Sequence, residues 1–349
     1  MIMPMRLRTV SPSSKGWTRK RAGRGFAYTD GDGKRLRAAD VARCKALVIP
    51  PAWAEVWICP HANGHIQVVG TDDAGRRQYL YHPAWREKRD AAKHDRVLTV
   101  AARLPRARER IAEDLTLEGM PRERVLATAF RLLDLGFFRI GGESYAEANE
   151  SYGLATILKE HVSIEGESVV FEYAAKSGRE RLVTIADEEV LDAVQSLRRR
   201  RGGGEGLLAY RDGRRWRDVT SGDINEYVKD VVGGEVSAKD FRTWHATVLA
   251  AVALAVSTHA TSSSARKRAV VRTMKEVAEY LGNTPAVARA SYVDPRVVDL
   301  FEDGLTIEHA LRRLGEDAEF GHPATHGAVE RATLALLRKA PKAAGRARR

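Results

Sequence analysis

Two cysteines among 349 residues, Cys44 and Cys59, are too few to staple a disulfide scaffold and fit a reducing compartment. Cys59, His61 and His65 fall at spacings a metal could use, but no further ligand pair stands nearby, so no metal site is read from them. Long apolar runs are missing as well. The longest, Ala246 to Val256 interrupted by Thr247, is far short of the roughly 20 residues a spanning helix needs and reads as a buried core helix. The opening MIMPMRLRTVSPSS has no apolar block followed by a small-residue cleavage site, so the cytoplasm is the expected compartment. Acids are scarce at both ends: seven cations, from Arg6 to Arg24, precede Asp30, and seven more follow Glu330 with no acid among them.

What is present is a chain long enough for two domains, with an ordinary 44% hydrophobic content and a net charge of +12. A surplus of cations gathered at the ends favours a polyanionic partner, nucleic acid before membrane.

Residues 25 to 85 carry short strand-like pieces, GFAYTD, KALVIP, VWICP, HIQVVG and RQYLYH, divided by Gly, Pro and Asp turns. In the last, alternation puts Arg77, Tyr79 and Tyr81 on one face and Gln78 and Leu80 on the other, with Leu80 as the core residue. The charged stretch WREKRDAAKHDR reads as a linker or exposed helix and sets a domain boundary near residue 95. Helical periodicity follows over Leu104 to Leu117 and from Pro121 to Leu135, with Gly136 as the stop. Glu165 to Ile185 switches to two strands joined by AKSGRE, which sets Lys176 at the turn. Further on, Asp187 is expected to cap one helix and Ser221 the next, and Ser237 or Asp240 to start a long one with Lys239, Arg242 and His245 in its first turns. A helix from Ala265 to Leu281 stops at Gly282, and Asn283, Thr284 and Pro285 restart a short one that carries Arg289 and Tyr292. The expected class is α+β: a small, mostly β domain over 1–95, a larger, mainly helical domain with a β-hairpin over 96–330, and a basic tail over 331–349.

Arg139 lies just past a helix end, and Gly141 and Gly142 after it let another backbone or a phosphate come close. Guanidinium is the group best shaped to clamp phosphate oxygens. Four stretches, in order, carry GFFRIGGESYAEANESYGL (Arg139), FEYAAKSG (Lys176), SAKDFRTWHAT (Arg242) and EYLGNTPAVARASYV (Asn283 and Tyr292). This order resembles the type IB DNA topoisomerases, in the small form shared by bacteria and poxviruses. IPPAWAEVWICP and GRRQYLYH resemble the N-terminal clamp of that family, so the likeness covers roughly residues 20 to 310.

The resemblance implies that Tyr292 attacks a phosphodiester of duplex DNA, forms a 3′-phosphotyrosyl link and frees a 5′-hydroxyl strand that rotates before religation, with no ATP, metal or other cofactor. Arg139, Arg242 and Asn283 would hold the phosphate, and Lys176 would protonate the leaving oxygen. Gln78, Tyr79, Tyr81, Tyr145, Asn149 and Lys239 match DNA-contacting positions. The partner implied is double-stranded DNA held by a monomer closing as a clamp, in the nucleoid and away from membranes. Asn283 departs from the histidine that many members carry there; it can also be a helix cap. His245, one turn past Arg242, reads as a core or supporting residue. The chemistry needs these residue types independently: a phenol titrating near 10 needs cations beside it, and a pentavalent phosphorus transition state needs its added charge neutralised. The main alternative is a tyrosine recombinase, which uses nearly the same pocket; its arginine usually follows a histidine by three residues, where this chain has Lys239.

If the tail binds phosphate, removing Lys339 to Arg349 weakens DNA binding and flattens its salt dependence, while the single-turnover cleavage rate of bound enzyme stays unchanged. An unchanged slope of log affinity against log salt would show that the tail touches no phosphate.

Overall fold

The computed structural model describes residues 6–143, 146, 150–176, 178–257, 262–314 and 326–340. Tyr145, Asn149 and residues 341–349 of the basic tail lie outside the described residues. The chain forms two compact units, Met1–Lys93 and His94–Arg349, and the expected α+β class holds.

The first unit is an antiparallel sheet in the order β2-β1-β3-β4-β5, built from β1 (Trp17–Ala22), β2 (Gly25–Thr29), β3 (Ala54–Ile58), β4 (Ile66–Thr71) and β5 (Arg77–Tyr81), with one helix, α1 (Ala38–Ala46). Two expectations fail here. KALVIP is no strand, since its first two residues end α1, and β1 lies outside the expected strands. One residue accounts for both. Arg19 on β1 is buried and donates to the carbonyls of Ile49, Pro50 and Trp53 at 2.8–2.9 Å, with its guanidinium 4.2 Å from the Phe26 ring centre. The carbonyls of the segment after α1 are thus taken by a side chain in place of a strand partner, and the arginine that does so disguises β1 as a charged run. Tyr28, Val56, Ile58 and Val68 form the core, with Leu80 packed against it. Along β5 the expected alternation is present: Tyr79 and Tyr81 are exposed with rings stacked at 6.0 Å. Cys59 is buried, and His65 accepts a hydrogen bond from the Val10 amide.

The second unit is mainly helical. Of the two readings of the charged stretch, linker or exposed helix, the structure has the helix, α2 (Pro83–Ala101); it is followed by α3 (Leu104–Leu115), α4 (Arg122–Gly136) and the sheet β6 (Val162–Glu165), β7 (Ser168–Ala175) and β8 (Arg179–Ile185). Then come α5 (Glu188–Arg199), an unforeseen hairpin of β9 (Ala209–Asp212) and β10 (Arg215–Asp218), α6 (Ser221–Val232) and α7 (Ala238–Ala255). The described chain closes with α8 (Ser263–Leu281), α9 (Pro285–Ser291), α10 (Pro295–Glu302), α11 (Glu308–Leu314) and α12 (Ala328–Lys339). Helix α7 is the hub, buried along nearly its whole length as its apolar run requires. Asp187 caps α5 by accepting from Val190 N at 3.1 Å, whereas α6 is capped by Thr220, not Ser221, in a reciprocal box with Asp223.

Buried charge ties the far helices to this hub. Arg108 on α3 holds both oxygens of Asp134 on α4 (2.7 and 3.0 Å) and both of Glu330 on α12 (2.6 and 3.1 Å), and Trp244 Nε1 on α7 donates to Glu330 at 2.6 Å. His245 and His326 lie 3.3 and 3.1 Å from Asp134. These three ligand-type groups are close enough to hold a metal, but Arg108 already supplies the balancing cation. Burial would push the Asp134 carboxyl up; the charge on His326, the two imidazoles and the guanidinium outweigh it and hold it well below the usual carboxylate range.

A carboxyl depressed in the folded state stabilises fully above its unfolded value, near 4, and that contribution is lost as pH falls through the folded value. The melting temperature of the full chain should therefore drop as pH falls below about 4. Removing one partner of a buried ion pair strands the other, so Glu330→Ala should cost about 3–5 kcal/mol in chemical denaturation. A loss below about 1 kcal/mol, the worth of a surface pair, would show that α12 is not anchored through this knot.

Candidate active site

Helix α4 ends at Gly136, but the residue in the left-handed conformation is Phe137, with φ 55° and ψ 25°. Gly136 is needed for space: a Cβ there would meet the Phe138 ring at 2.2 Å. Phe138 is buried between Phe171 and Tyr173, so the next residue, Arg139, leaves the core half-buried. What comes close to the glycines after it is backbone. Gly153 packs so tightly on Gly141 that a Cβ would lie 2.5 Å from its nitrogen, and the amides of Leu154 and Ala155 donate to the carbonyls of Arg139 and Ile140.

Arg242 lies in the second turn of α7, 3% exposed. It donates to the carbonyl of Phe137, at the end of α4, and to that of Leu281, the last residue of α8, at 2.8 Å. Its guanidinium carbon is 5.2 Å from the centre of the Tyr292 ring. Arg139 donates from the same nitrogen to Gly282 O at 3.0 Å and to Asn283 Oδ1 at 2.6 Å. The cap of α9 is Thr284, which accepts from Val287 N, so Asn283 stands outside the helix with its amide turned to Arg139. Asn283 Nδ2 and Arg242 Nε are buried donors with no hydrogen-bond partner among the described residues. Tyr292, at the end of α9, is half-buried.

Charge follows from this geometry. Burial and the nearby Arg139 push Arg242 down to about 10, and burial lowers Arg139 too. For Tyr292, burial raises the phenol, but Arg242, Arg139 and Lys239 outweigh it and bring it below its ordinary value. Lys239 itself is exposed in the first turn of α7.

The structure thus gathers Arg139, Arg242, Asn283 and Tyr292. Lys176 is exposed at the turn between β7 and β8, and that hairpin is fastened to the same place: Arg179 donates to Asn283 O at 3.4 Å, and Arg181 to the carbonyls of Glu279 and Tyr280 at 3.2 and 2.9 Å. These two arginines were missed, although their i, i+2 spacing in RERLVTI puts them on one strand face. His245 is fully buried and packs its ring on Phe137 at 5.5 Å, so it supports the carbonyl that Arg242 uses. In the first unit, Gln78 faces away from Tyr79 and Tyr81, as the alternation predicts, and donates to Asp72 at 2.8 Å, so strand geometry separates it from the two tyrosines with which the resemblance groups it.

An α+β protein whose larger unit sets two guanidinium groups and two unpartnered donors around a phenol is built for an anionic ligand. Residues 82–311 match the model of the eukaryotic DNA topoisomerase I catalytic core, and residues 25–72 that of the bacterial DNA topoisomerase IB N-terminal domain. The chain is 29% identical over 306 residues to DNA topoisomerase 1B of Acanthamoeba polyphaga mimivirus, covering 84% of this chain and 90% of the relative. It is 23% identical over 242 residues to DNA topoisomerase 1B of Vaccinia virus (strain Copenhagen) and to DNA topoisomerase I of Monkeypox virus, covering 67% of this chain and 72% of each relative. The protein belongs to the type IB DNA topoisomerase family, an enzyme family of isomerases.

Because cations hold the phenol down against burial, Arg242→Gln should raise the apparent pKa of Tyr292 above the ordinary value near 10. Carbon-13 NMR of Cζ-labelled tyrosine, with Tyr292→Phe for assignment, reads this directly. An unmoved titration would show that Arg242 is not the cause.

Proposed function

We propose that this protein relaxes supercoiled duplex DNA by cutting one strand with Tyr292, letting it rotate, and resealing it. The observation that carries this reading is the buried guanidinium of Arg242 set 5.2 Å from the centre of the Tyr292 ring, in a site that also holds Arg139 and Asn283. The Tyr292 oxygen forms a bond to phosphorus while the bond to the 5′-oxygen breaks, leaving a 3′-phosphotyrosine and a 5′-hydroxyl. Arg139 and Arg242 neutralise charge on the non-bridging oxygens, since both stay protonated and offer paired donors. Asn283 Nδ2, buried and without an acceptor among the described residues, gives one more hydrogen bond. Lys176, a long flexible side chain exposed at the hairpin turn, protonates the leaving 5′-oxygen. Attack by that hydroxyl reverses the reaction, and the energy kept in the phosphotyrosine makes ATP unnecessary. With the charge neutralised by side chains, metal ions are not needed for the step.

On this reading the second unit is the catalytic domain, Lys239 contacts the phosphate backbone, and the first unit lays the stacked Tyr79 and Tyr81 against the duplex as half of a monomeric clamp. Tyr145 and Asn149, outside the described residues, would touch DNA near the cut. No helix among the described residues is long and apolar enough to cross a membrane, and a DNA-acting enzyme works at the nucleoid.

The test is relaxation of negatively supercoiled plasmid in EDTA without ATP, with Tyr292→Phe as control. Wild-type relaxation with a covalent 3′ adduct that the mutant lacks is the expected result; a normal adduct yield from Tyr292→Phe would refute the assignment. Replacing the 5′-oxygen by sulfur should largely rescue Lys176→Ala but not Arg139→Ala, and equal responses would erase the separate roles. At position 283, alanine should cost roughly 10- to 1000-fold in cleavage rate, histidine little, and aspartate more than alanine, because it sets an anion against the phosphate. Aspartate faster than alanine would argue against a phosphate contact.

A further inference from the structure

Helix α2 begins in the first unit and carries the chain into the second, and the first three residues of the second unit, His94, Asp95 and Arg96, meet both halves of the active site. Arg96 donates to Asp240 Oδ1 at 2.6 Å. The other oxygen of Asp240 accepts from the amide and hydroxyl of Ser237 at 2.9 and 3.1 Å, which starts α7 two residues ahead of Arg242. Asp95 accepts from Arg296 at 2.9 Å, and Arg296 grips both oxygens of Asp294 at 2.6–3.1 Å. His94 Nδ1 lies 4.0 Å from the same carboxylate. Asp294 is two residues past Tyr292; its amide donates to Thr247 Oγ1 at 3.1 Å, and that hydroxyl lies 3.3 Å from the Tyr292 carbonyl. One turn of α2 thus fastens the start of the arginine-bearing helix on one side and the segment of the tyrosine on the other.

Stability alone is a poor reason for these contacts. Arg96 and Asp95 are 46% and 51% exposed, and ion pairs with such exposed ends contribute little to folding. Their partners Asp240 and Arg296 are nearly buried, at 2% and 9%, so each pair fixes a buried group that lies beside the chemistry. Tyrosine and arginine must meet one phosphate from two separate segments, and a misplacement of about 1 Å can cost on the order of 100-fold in rate.

We propose that Asp95 and Arg96 are positioning residues that hold the Tyr292 segment and the Arg242 helix at one spacing, setting the rate of strand cleavage without touching DNA. This rests on the function proposed above. It predicts that substitutions in α2 act on the bound enzyme's chemistry and leave DNA affinity alone.

The test uses the full chain with a duplex whose cleaved strand sheds a short downstream piece, at saturating enzyme. Asp95→Ala and Arg96→Ala should each slow cleavage roughly 5- to 50-fold per folded molecule, with DNA affinity within about twofold and the folded fraction at the assay temperature unchanged. Arg96→Lys, which keeps the charge near Asp240, should recover most of the rate. A 5′-sulfur leaving group should not selectively rescue either alanine variant, whereas it rescues Lys176→Ala. Wild-type rates in both variants overturn the inference, and so does a loss that follows DNA affinity or the folded fraction. If the wild-type chain forms no adduct, the proposed function itself falls and takes this inference with it.

Discussion

The guanidinium of Arg242 is a cation taken out of water, and such a group persists only if protein dipoles replace its hydration. Two of those dipoles are the carbonyls of Phe137 and Leu281, at the C-terminal ends of α4 and α8, where the last carbonyls lack helical partners and carry partial negative charge. Serving one cation brings three helices to a single point. Arg139 follows Phe137 by two residues and Asn283 follows Leu281 by two, so the groups that frame the phenol stand where solvation of Arg242 puts them. The left-handed turn at Phe137 aims its carbonyl, and the neighbouring His245 ring braces it.

That arrangement is costly without an anion. Burial lowers the proton affinity of both Arg242 and Arg139; Arg139 lowers that of Arg242 further, and Arg181 and Arg179 that of Arg139. Two more arginines, Arg179 and Arg181, are bonded to carbonyls within a few residues. The tyrosine shares the field and is the group that responds by losing its proton more readily. On the function proposed above, a charged phosphate relieves the repulsion and takes up the two donors that have no partner among the described residues, which accounts for a site that is poorly balanced by itself. The Arg108 knot behind α7 is of the opposite kind, with its carboxylates and guanidinium satisfying one another.

Local chemistry made much of this legible. Pro and Gly punctuation bounded α4 and α8, alternation along RQYLYH sorted the faces of β5, and the apolar run after His245 announced the buried hub. The failures share a cause. Arg19 hid a strand because its charge is satisfied by carbonyls some thirty residues away, and KALVIP, apolar and bounded by proline, looked like a strand although two of its carbonyls accept from that side chain. Gly136 looked like a helix terminator, yet it is small to admit the Phe138 ring, and Phe137 takes the left-handed turn. At Asn283 two roles were open, and the backbone settled one of them by giving the cap to Thr284.

The sequence alone determined which chemistry was available: one tyrosine, two arginines, an asparagine and a lysine in a recognisable order, with the lysine at a hairpin turn, and a cation surplus that calls for a polyanion. Residue type and local periodicity are short-range properties, readable in a window of a dozen residues. Only the tertiary structure decided that Arg242 reaches the ends of two other helices, that Arg179 and Arg181 fasten the hairpin beside Asn283, and that α2 grips both halves of the site. Those contacts join residues from about 40 to 200 positions apart, and they follow from how buried cations find carbonyls and carboxylates once the helices pack, which no local window contains.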